Sequence, residues 1–297
     1  MTSSFMKIGL AIAAALTAIF PAGLAAQANP AADAPAHRIR ASKIVLVGDS
    51  TAAVGSGWGP SFCAFRVTSA AACVNLARGG RSSGSYRAEG SWDLALAEMR
   101  TPGYSEIWVL IQFGHNDQPG KPGRSTDLKT EFPANLRRYV AEAKAAGARP
   151  VLLTPLTRRQ FVRGTLKNDL LPWAEAVRRV AAETGVPLVD LNARSAEAVQ
   201  ALGPTLAAHL AQAPPSPEVA AAALTGTTIP ALTGTTAAPA PAASSGAQDN
   251  AAAEPLGQAR VAFDYTHLGR AGADFFAAMV AQELAKNVPA MRRMLVP

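Results

Sequence analysis

Aromatic residues and charges are both scarce in this chain of 297 residues, at 6% and 16%, and only two cysteines and four histidines occur. Each shortage removes a class of function. There is no dense run of lysine or arginine, so the net charge of +7 is spread along the chain and not gathered into an arm that grips nucleic acid. That basicity reads as a solvated surface, and it also permits a basic face for an acidic polymer such as a polyuronide. Beyond the first 28 residues no stretch is long and apolar enough to span a bilayer. The two cysteines, Cys63 and Cys73, have no His, Asp or Glu between or close beside them at ligand spacing, which argues against a zinc site there. No cofactor or metal is expected.

What is present begins at the N-terminus. A short polar segment with Lys7 precedes an apolar stretch from Ile8 to Phe20, then Pro21, Gly23 and the small-x-small pattern Ala26-Gln27-Ala28. This reads as a secretory signal peptide over residues 1–28, the alternative being an uncleaved anchor whose apolar run is short for a span. Residues 29–42 read as a flexible leader, and export to the periplasm or medium is the expectation. An oxidising compartment favours a disulfide between Cys63 and Cys73, with two separately buried thiols as the other reading.

From residue 43 onward, strand-like and helix-like stretches alternate. Lys43–Val47, Val74–Leu76, Ile107–Phe113, Val151–Leu153 and Val186–Leu191 are apolar, β-rich runs. Between and after them lie helical stretches at Trp92–Met99, Phe132–Ala146, Pro172–Thr184 and Gly269–Leu284, punctuated by proline near their starts or glycine after their ends. Continuous apolar strands separated by helices predict an α/β fold with a parallel sheet covered on both faces, a three-layer α/β/α sandwich. Residues 43–297 are read as one domain, interrupted at about 203–257 by an Ala/Pro/Thr-rich stretch in which Leu-Thr-Gly-Thr-Thr occurs twice. That stretch has few large apolar groups to offset its ordering entropy and is expected to be a mobile surface insertion.

Sites in parallel α/β sheets form at the carboxyl ends of strands. Three predicted strand ends carry Asp49-Ser50, Gly79-Gly80-Arg81-Ser82 and Gly114-His115-Asn116-Asp117, and Asp264-Tyr265-Thr266-His267 precedes the last helix. These are the parts of an acyl-transfer site. A serine hydroxyl needs an imidazole to take its proton, and the imidazole needs a carboxylate to fix its tautomer. Ser50, His267 and Asp264 can supply them, since Asp264 and His267 are spaced to share one side of a turn. The backbone N–H groups of Ser50 and Gly80 and the amide of Asn116 are the candidate oxyanion donors. Each has a structural alternative: Ser50 or His267 as a helix cap, Asn116 and Asp117 as turn residues, Asp49 as a brace between loops. Gly80-Arg81-Ser82-Ser83-Gly84 also satisfies G-x-S-x-G, but its preceding strand is short and Gly84-Ser85 interrupts an immediate helix.

In their order and content these blocks resemble those of the SGNH (GDSL-type) hydrolases. GDSTAA at 48–53, GSGWG at 55–59, GRSSGSY at 80–86, AEGSW at 88–92, IQFGHND at 111–117 and LLTPLTRR at 152–159 look like the rhamnogalacturonan acetylesterase branch. The resemblance implies a flavodoxin-like five-stranded parallel sheet with a broad, open site. It implies Ser50 as nucleophile, His267 as base, Asp264 as its partner, Gly80 and Asn116 as oxyanion donors, and no metal. The expected function is removal of acetyl groups from a plant cell-wall polysaccharide, a pectin, by an exported monomer with neither nucleic acid nor membrane as partner. Trp58, Arg81, Tyr86 and His115 are candidate sugar or uronate contacts, with packing and loop bracing as alternatives. The rival readings are a periplasmic thioesterase or lysophospholipase and a non-catalytic carbohydrate-binding protein. The insertion departs from the family pattern and leaves access near the His267 loop open.

Overall fold

The computed structural model describes residues 41–230 and 261–297. The expected signal peptide, most of the leader and residues 231–257 of the expected insertion lie outside them. In chain order the elements are β1 (Ser42–Gly48), α1 (Gly59–Phe65), β2 (Ala71–Asn75), α2 (Ser85–Ala88), α3 (Ser91–Met99), β3 (Ile107–Gln112), α4 (Glu131–Ala145) and β4 (Arg149–Leu153). A short hairpin of β5 (Phe161–Val162) and β6 (Thr165–Leu166) follows, then α5 (Leu171–Thr184), β7 (Leu188–Val189), α6 (Leu191–Ala208), α7 (Pro217–Leu224) and α8 (Arg270–Asn287).

The main sheet has five strands in the order β2-β1-β3-β4-β7, and every pairing is parallel. β1 is buried along its whole length, as a central strand covered on both faces must be. Its side chains alternate between the two faces. Ile44 and Leu46 join Leu110, Val151, Phe62 of α1 and Phe276, Val280 and Leu284 of α8. Val45 and Val47 join Val109, Ile111, Trp92 of α3, Phe132 and Leu136 of α4 and Trp173 and Val177 of α5. The result is the three-layer α/β/α sandwich expected from the sequence. The register Gly48↔Gln112 brings the carboxyl ends of β1 and β3 level, so the loops after them face the same space.

Cys63 of α1 and Cys73 of β2 are joined in a disulfide. Two expectations need correction. The run Val186–Leu191 forms a strand only at Leu188 and Val189, with the Pro187 carbonyl also accepting from the Leu152 N–H, and it ends there because the Asp190 carboxylate accepts from the Ala193 N–H and starts α6 at Leu191. The expected insertion is also folded over its first half. After a kink at Gly203-Pro204 the chain stays helical to Ala208, burying Ala207 and Ala208, and α7 starts at the Ser216 cap with Val219 and Ala223 buried. Alanine, which made this stretch look low in complexity, is also the best helix former.

Candidate active site

The chain leaves β1 through Gly48 and turns at once. The Asp49 carboxylate accepts from the Thr51 N–H at 2.9 Å and the Thr51 hydroxyl at 2.7 Å, and Ala52 and Ala53 N–H donate to the Asp49 carbonyl. A buried relay supports the turn from below. Gln112, the last residue of β3, donates to Thr51 Oγ1 at 2.7 Å and accepts from Trp58 Nε1 at 2.8 Å. The chain then packs back on itself so tightly that a Cβ at Gly57 would lie 2.3 Å from the Thr51 carbonyl, which only glycine avoids. Ser50, 5% exposed, stands on top of this turn.

Residues 264–267 bring the other two groups. The Asp264 Oδ1 accepts from the N–H groups of Thr266 and His267, each at 2.7 Å, which winds the loop into a tight turn with both functional side chains on one side. His267 Nδ1 lies 2.6 Å from Asp264 Oδ2, and His267 Nε2 lies 2.9 Å from Ser50 Oγ. Burial alone would raise the Asp264 pKa, but the bonds from His267 and the loop N–H groups prevail and lower it to about 2. The carboxylate is therefore ionised and ready to orient a proton on Nδ1. Ser56 ties the two halves together: its hydroxyl donates to the Ser50 carbonyl at 2.7 Å, and its own carbonyl accepts from the Leu268 N–H at 2.9 Å.

The third side is the turn after β2. The Arg78 N–H donates to the Gly48 carbonyl at 3.0 Å, and Gly80 has φ of 74°, a backbone setting that suits glycine. Asn116 Nδ2 donates to the Arg81 carbonyl at 3.0 Å, so one amide hydrogen fixes the side chain and the second is left for a ligand. Among the described residues, neither the Ser50 nor the Gly80 N–H donates to another protein group. Lys121 Nζ donates to the His115 carbonyl at 2.6 Å, and burial is the main cause that lowers its pKa to about 8.

The candidate sugar contacts fare differently. Trp58 is buried, its ring edge-to-face with Phe62 and its N–H committed to Gln112. Tyr86 is buried against Phe113 and donates to the Leu76 carbonyl. Arg81 is buried and holds Glu89 at 2.9 Å and the Gly79 carbonyl at 2.7 Å. These three brace the site from behind; an accessible sugar face or a free guanidinium is not what they offer. His115 is 2% exposed, with Nδ1 3.3 Å from Asp49 Oδ2 and neither nitrogen in a hydrogen bond. Burial, the largest influence, lowers its pKa and favours the neutral ring, and at this depth the ring offers no accessible face to a sugar. Ser82, the serine of G-x-S-x-G, is buried and accepts from the Ser85 N–H at 3.1 Å. Asp117 is buried, accepting from Ser83 N–H, Ser83 hydroxyl and Thr126 hydroxyl, and burial raises its pKa to about 7.

Thr51, Ser56, Gln112 and Arg159 fall within the sequence blocks that carry the family resemblance but have no role assigned there, and Lys121 is not singled out by the sequence. Thr51 also had a local signal, an Asx-type spacing two residues after Asp49. The described residues contain no group of three or more His, Cys, Asp or Glu placed to hold a metal ion.

Comparison with known proteins places the chain in a family. A model described as GDSL-like Lipase/Acylhydrolase family matches residues 46–274. The chain is 35% identical over 162 residues to a Bacillus subtilis protein named Probable rhamnogalacturonan acetylesterase YesY, covering 52% of this chain and 72% of that one. It is 36% identical over 171 residues to Rhamnogalacturonan acetylesterase RhgT of the same organism, covering 54% and 70%. Among solved structures, protein YXIM from Bacillus subtilis superposes with a TM-score of 0.57 at 22% identity, over 84% of this chain. The chain spans 57% of that protein's length, and the likeness is one of fold.

Proposed function

The chain belongs to the GDSL-like lipase/acylhydrolase family and is a carboxylic ester hydrolase, and we propose that it is exported and removes acetyl groups from a plant cell-wall polysaccharide, a pectin, through an acetyl-serine intermediate. The observation that carries this reading is the unbroken series Ser50 Oγ, His267 Nε2, His267 Nδ1 and Asp264 Oδ2, at 2.9 Å and 2.6 Å.

In the proposed reaction His267 Nε2 takes the proton of Ser50 as Oγ bonds to the acetyl carbon. The carbonyl electrons move onto oxygen, where the N–H groups of Ser50 and Gly80 and the free hydrogen of Asn116 meet the new charge. When the ester C–O bond breaks, His267 passes its proton to the departing sugar oxygen. Water then attacks the acetyl-enzyme, again losing a proton to His267, and acetate leaves as Ser50 recovers its hydrogen. Asp264 remains ionised throughout and steadies the imidazolium.

Three observations support a polysaccharide as substrate. Two relatives are named for acetyl ester cleavage on rhamnogalacturonan. A cavity of about 690 Å³ borders the site at Ser82, with Ser85, Asn135, Glu89, Arg124 and Arg138 in its walls beside Ala88 and Ala134. Its polar groups can meet sugar hydroxyls, although Ser50, Asp264 and His267 do not line it. The guanidinium of Arg124 bonds only the Gly80 carbonyl, at 3.4 Å, and makes no ion pair among the described residues. It takes over the uronate-binding part that the sequence offered to Arg81. The signal-like N-terminus supports export, and no described helix is long and apolar enough to cross a membrane.

Acetate release from acetylated rhamnogalacturonan, measured beside a panel of p-nitrophenyl esters of rising chain length, tests the proposal. Preference for the polymer and for acetyl esters, lost in Ser50→Ala by on the order of 10³-fold or more, is expected. Preference for long acyl chains would replace the substrate and keep the mechanism. Polymer binding with no ester cleavage would replace both.

A further inference from the structure

Arg159 is a buried cation beside the site, and it hydrogen-bonds to no side chain of Ser50, Asp264 or His267. It lies in the loop after β4 and is 1% exposed. Its neighbour Arg158 is paired with Asp169, whereas Arg159 makes no ion pair among the described residues. All its bonds go to the main chain of residues 264–267. The Arg159 N–H donates to the Tyr265 carbonyl at 2.9 Å. Nη1 donates to the Thr266 carbonyl at 3.2 Å, and Nη2 to the carbonyls of Asp264 at 2.9 Å and His267 at 2.8 Å.

Burying a cation without a carboxylate is costly, and a hydrophobic side chain of similar volume would usually fill the space at less expense. The geometry shows what the charge does instead. One nitrogen, Nη2, bridges the carbonyls of the two residues whose side chains form the acid–base pair. It thereby fixes the separation of their backbones across the open side of the turn, while the Asp264 carboxylate closes the other side through its own N–H contacts. A planar fork can reach carbonyls in three directions at once, which an ammonium on a flexible stem does poorly. The loop carrying Arg159 is itself anchored: Thr157 N–H donates to Ser195 Oγ at 3.0 Å and Asn192 Nδ2 to the Pro155 carbonyl at 3.0 Å, both on α6.

We propose that Arg159 is a positioning residue that sets the aim of His267 at Ser50 by clamping the carbonyls of the 264–267 turn. The proposal rests on the serine esterase reading. It makes α6 and the β4 loop part of the catalytic support, although neither holds a reacting group.

The test compares Arg159→Met, Arg159→Lys and Arg159→Ala with the parent protein and Ser50→Ala on p-nitrophenyl acetate. A displacement of about 1 Å in a reacting group can cost on the order of 10²-fold, so Arg159→Met is expected to lose about that much in kcat with KM little changed. Arg159→Lys should lose about tenfold, since it keeps the charge and loses the fork. Millimolar guanidinium ion should restore part of the activity of Arg159→Ala, and methylammonium should restore less. A spectroscopic reading is independent of turnover: the low-field proton resonance of the His267 Nδ1–H shared with Asp264 should be present in the parent and Ser50→Ala proteins. It should be displaced or broadened in Arg159→Met.

Undiminished kcat in Arg159→Met, with Ser50→Ala inactive, would overturn the proposal. So would losses that follow only the folded fraction, with no rescue and an unmoved proton resonance. If Arg159→Met does not fold, the Lys variant and the rescue decide. If the parent protein hydrolyses no ester, the esterase reading fails, and the resonance alone still accepts or rejects the clamp.

Discussion

Asn116 carries two amide hydrogens, and the protein uses only one of them, on the Arg81 carbonyl. The proposed oxyanion role needs such an idle hydrogen, whereas a turn residue does not. Asn116→Ala is therefore expected to lower kcat by about 10²–10³-fold with a smaller change in KM, in steady-state kinetics on a soluble acetyl ester. Two aspartates make opposite contributions to stability with pH. Asp264 is held at about 2, below its usual 3.8, so the stability it contributes is present above pH 4 and is lost as pH falls towards 2. Asp117 is pushed by burial to about 7, so folding favours its protonated form. Its contribution is complete below about pH 4 and is lost as pH rises to 7. Denaturant unfolding between pH 4 and 8 should show a decline, on the order of 4 kcal/mol at most, that flattens in Asp117→Asn.

At the scale of elements, the strands and their flanking helices were legible because composition and covering agree. A run such as Ile44–Val47 is apolar at every step only if both faces are buried, and glycine or proline marks where each predicted helix stops. α1 and α2, of seven and four residues, were too short to show a period, and α6 and α7 were not legible either, since an alanine-rich stretch with prolines offers no contrast between a buried face and a wet one. Trp58, Tyr86 and Arg81 show the matching limit at the site. Sequence gives the kind of side chain but not its direction, and all three turn inward to hold loops. The spacing of Asp264 and His267 could be read because the bond between them is local. Arg159 could not, because its partners are carbonyls, which every residue has. Among the elements, α1 and β2 are joined by the Cys63–Cys73 bridge, a loop with a sequence separation of 10. Losing it in Cys63→Ser/Cys73→Ser should cost about 3 kcal/mol in the chain-entropy model. For a domain this size that is a fall in Tm on the order of 10 °C, measurable by calorimetry.

For the whole molecule, loss of the expected signal peptide removes Lys7 and leaves a formal charge of +6 to meet the proposed polyanionic substrate class. Encounter with such a polymer is steered by long-range attraction, which salt screens beyond about 10 Å at 0.1 M. kcat/KM on acetylated pectin is accordingly expected to fall as sodium chloride is raised from 0.02 to about 0.3 M. Hydrolysis of neutral p-nitrophenyl acetate, tested in the same buffers, should stay nearly constant. A parallel decline of both would place the salt effect on the enzyme itself and not on the encounter.

On the proposed reading, the sequence separation of 217 between Ser50 and His267 also governs when the molecule becomes chemically active. A growing chain displays its nucleophile early and its base late, and Ser56 can hold the Leu268 backbone only once that segment has been made. Until then the serine is an ordinary alcohol. The chain cannot attack an ester during most of its own synthesis, because the order of its residues acts as a timer.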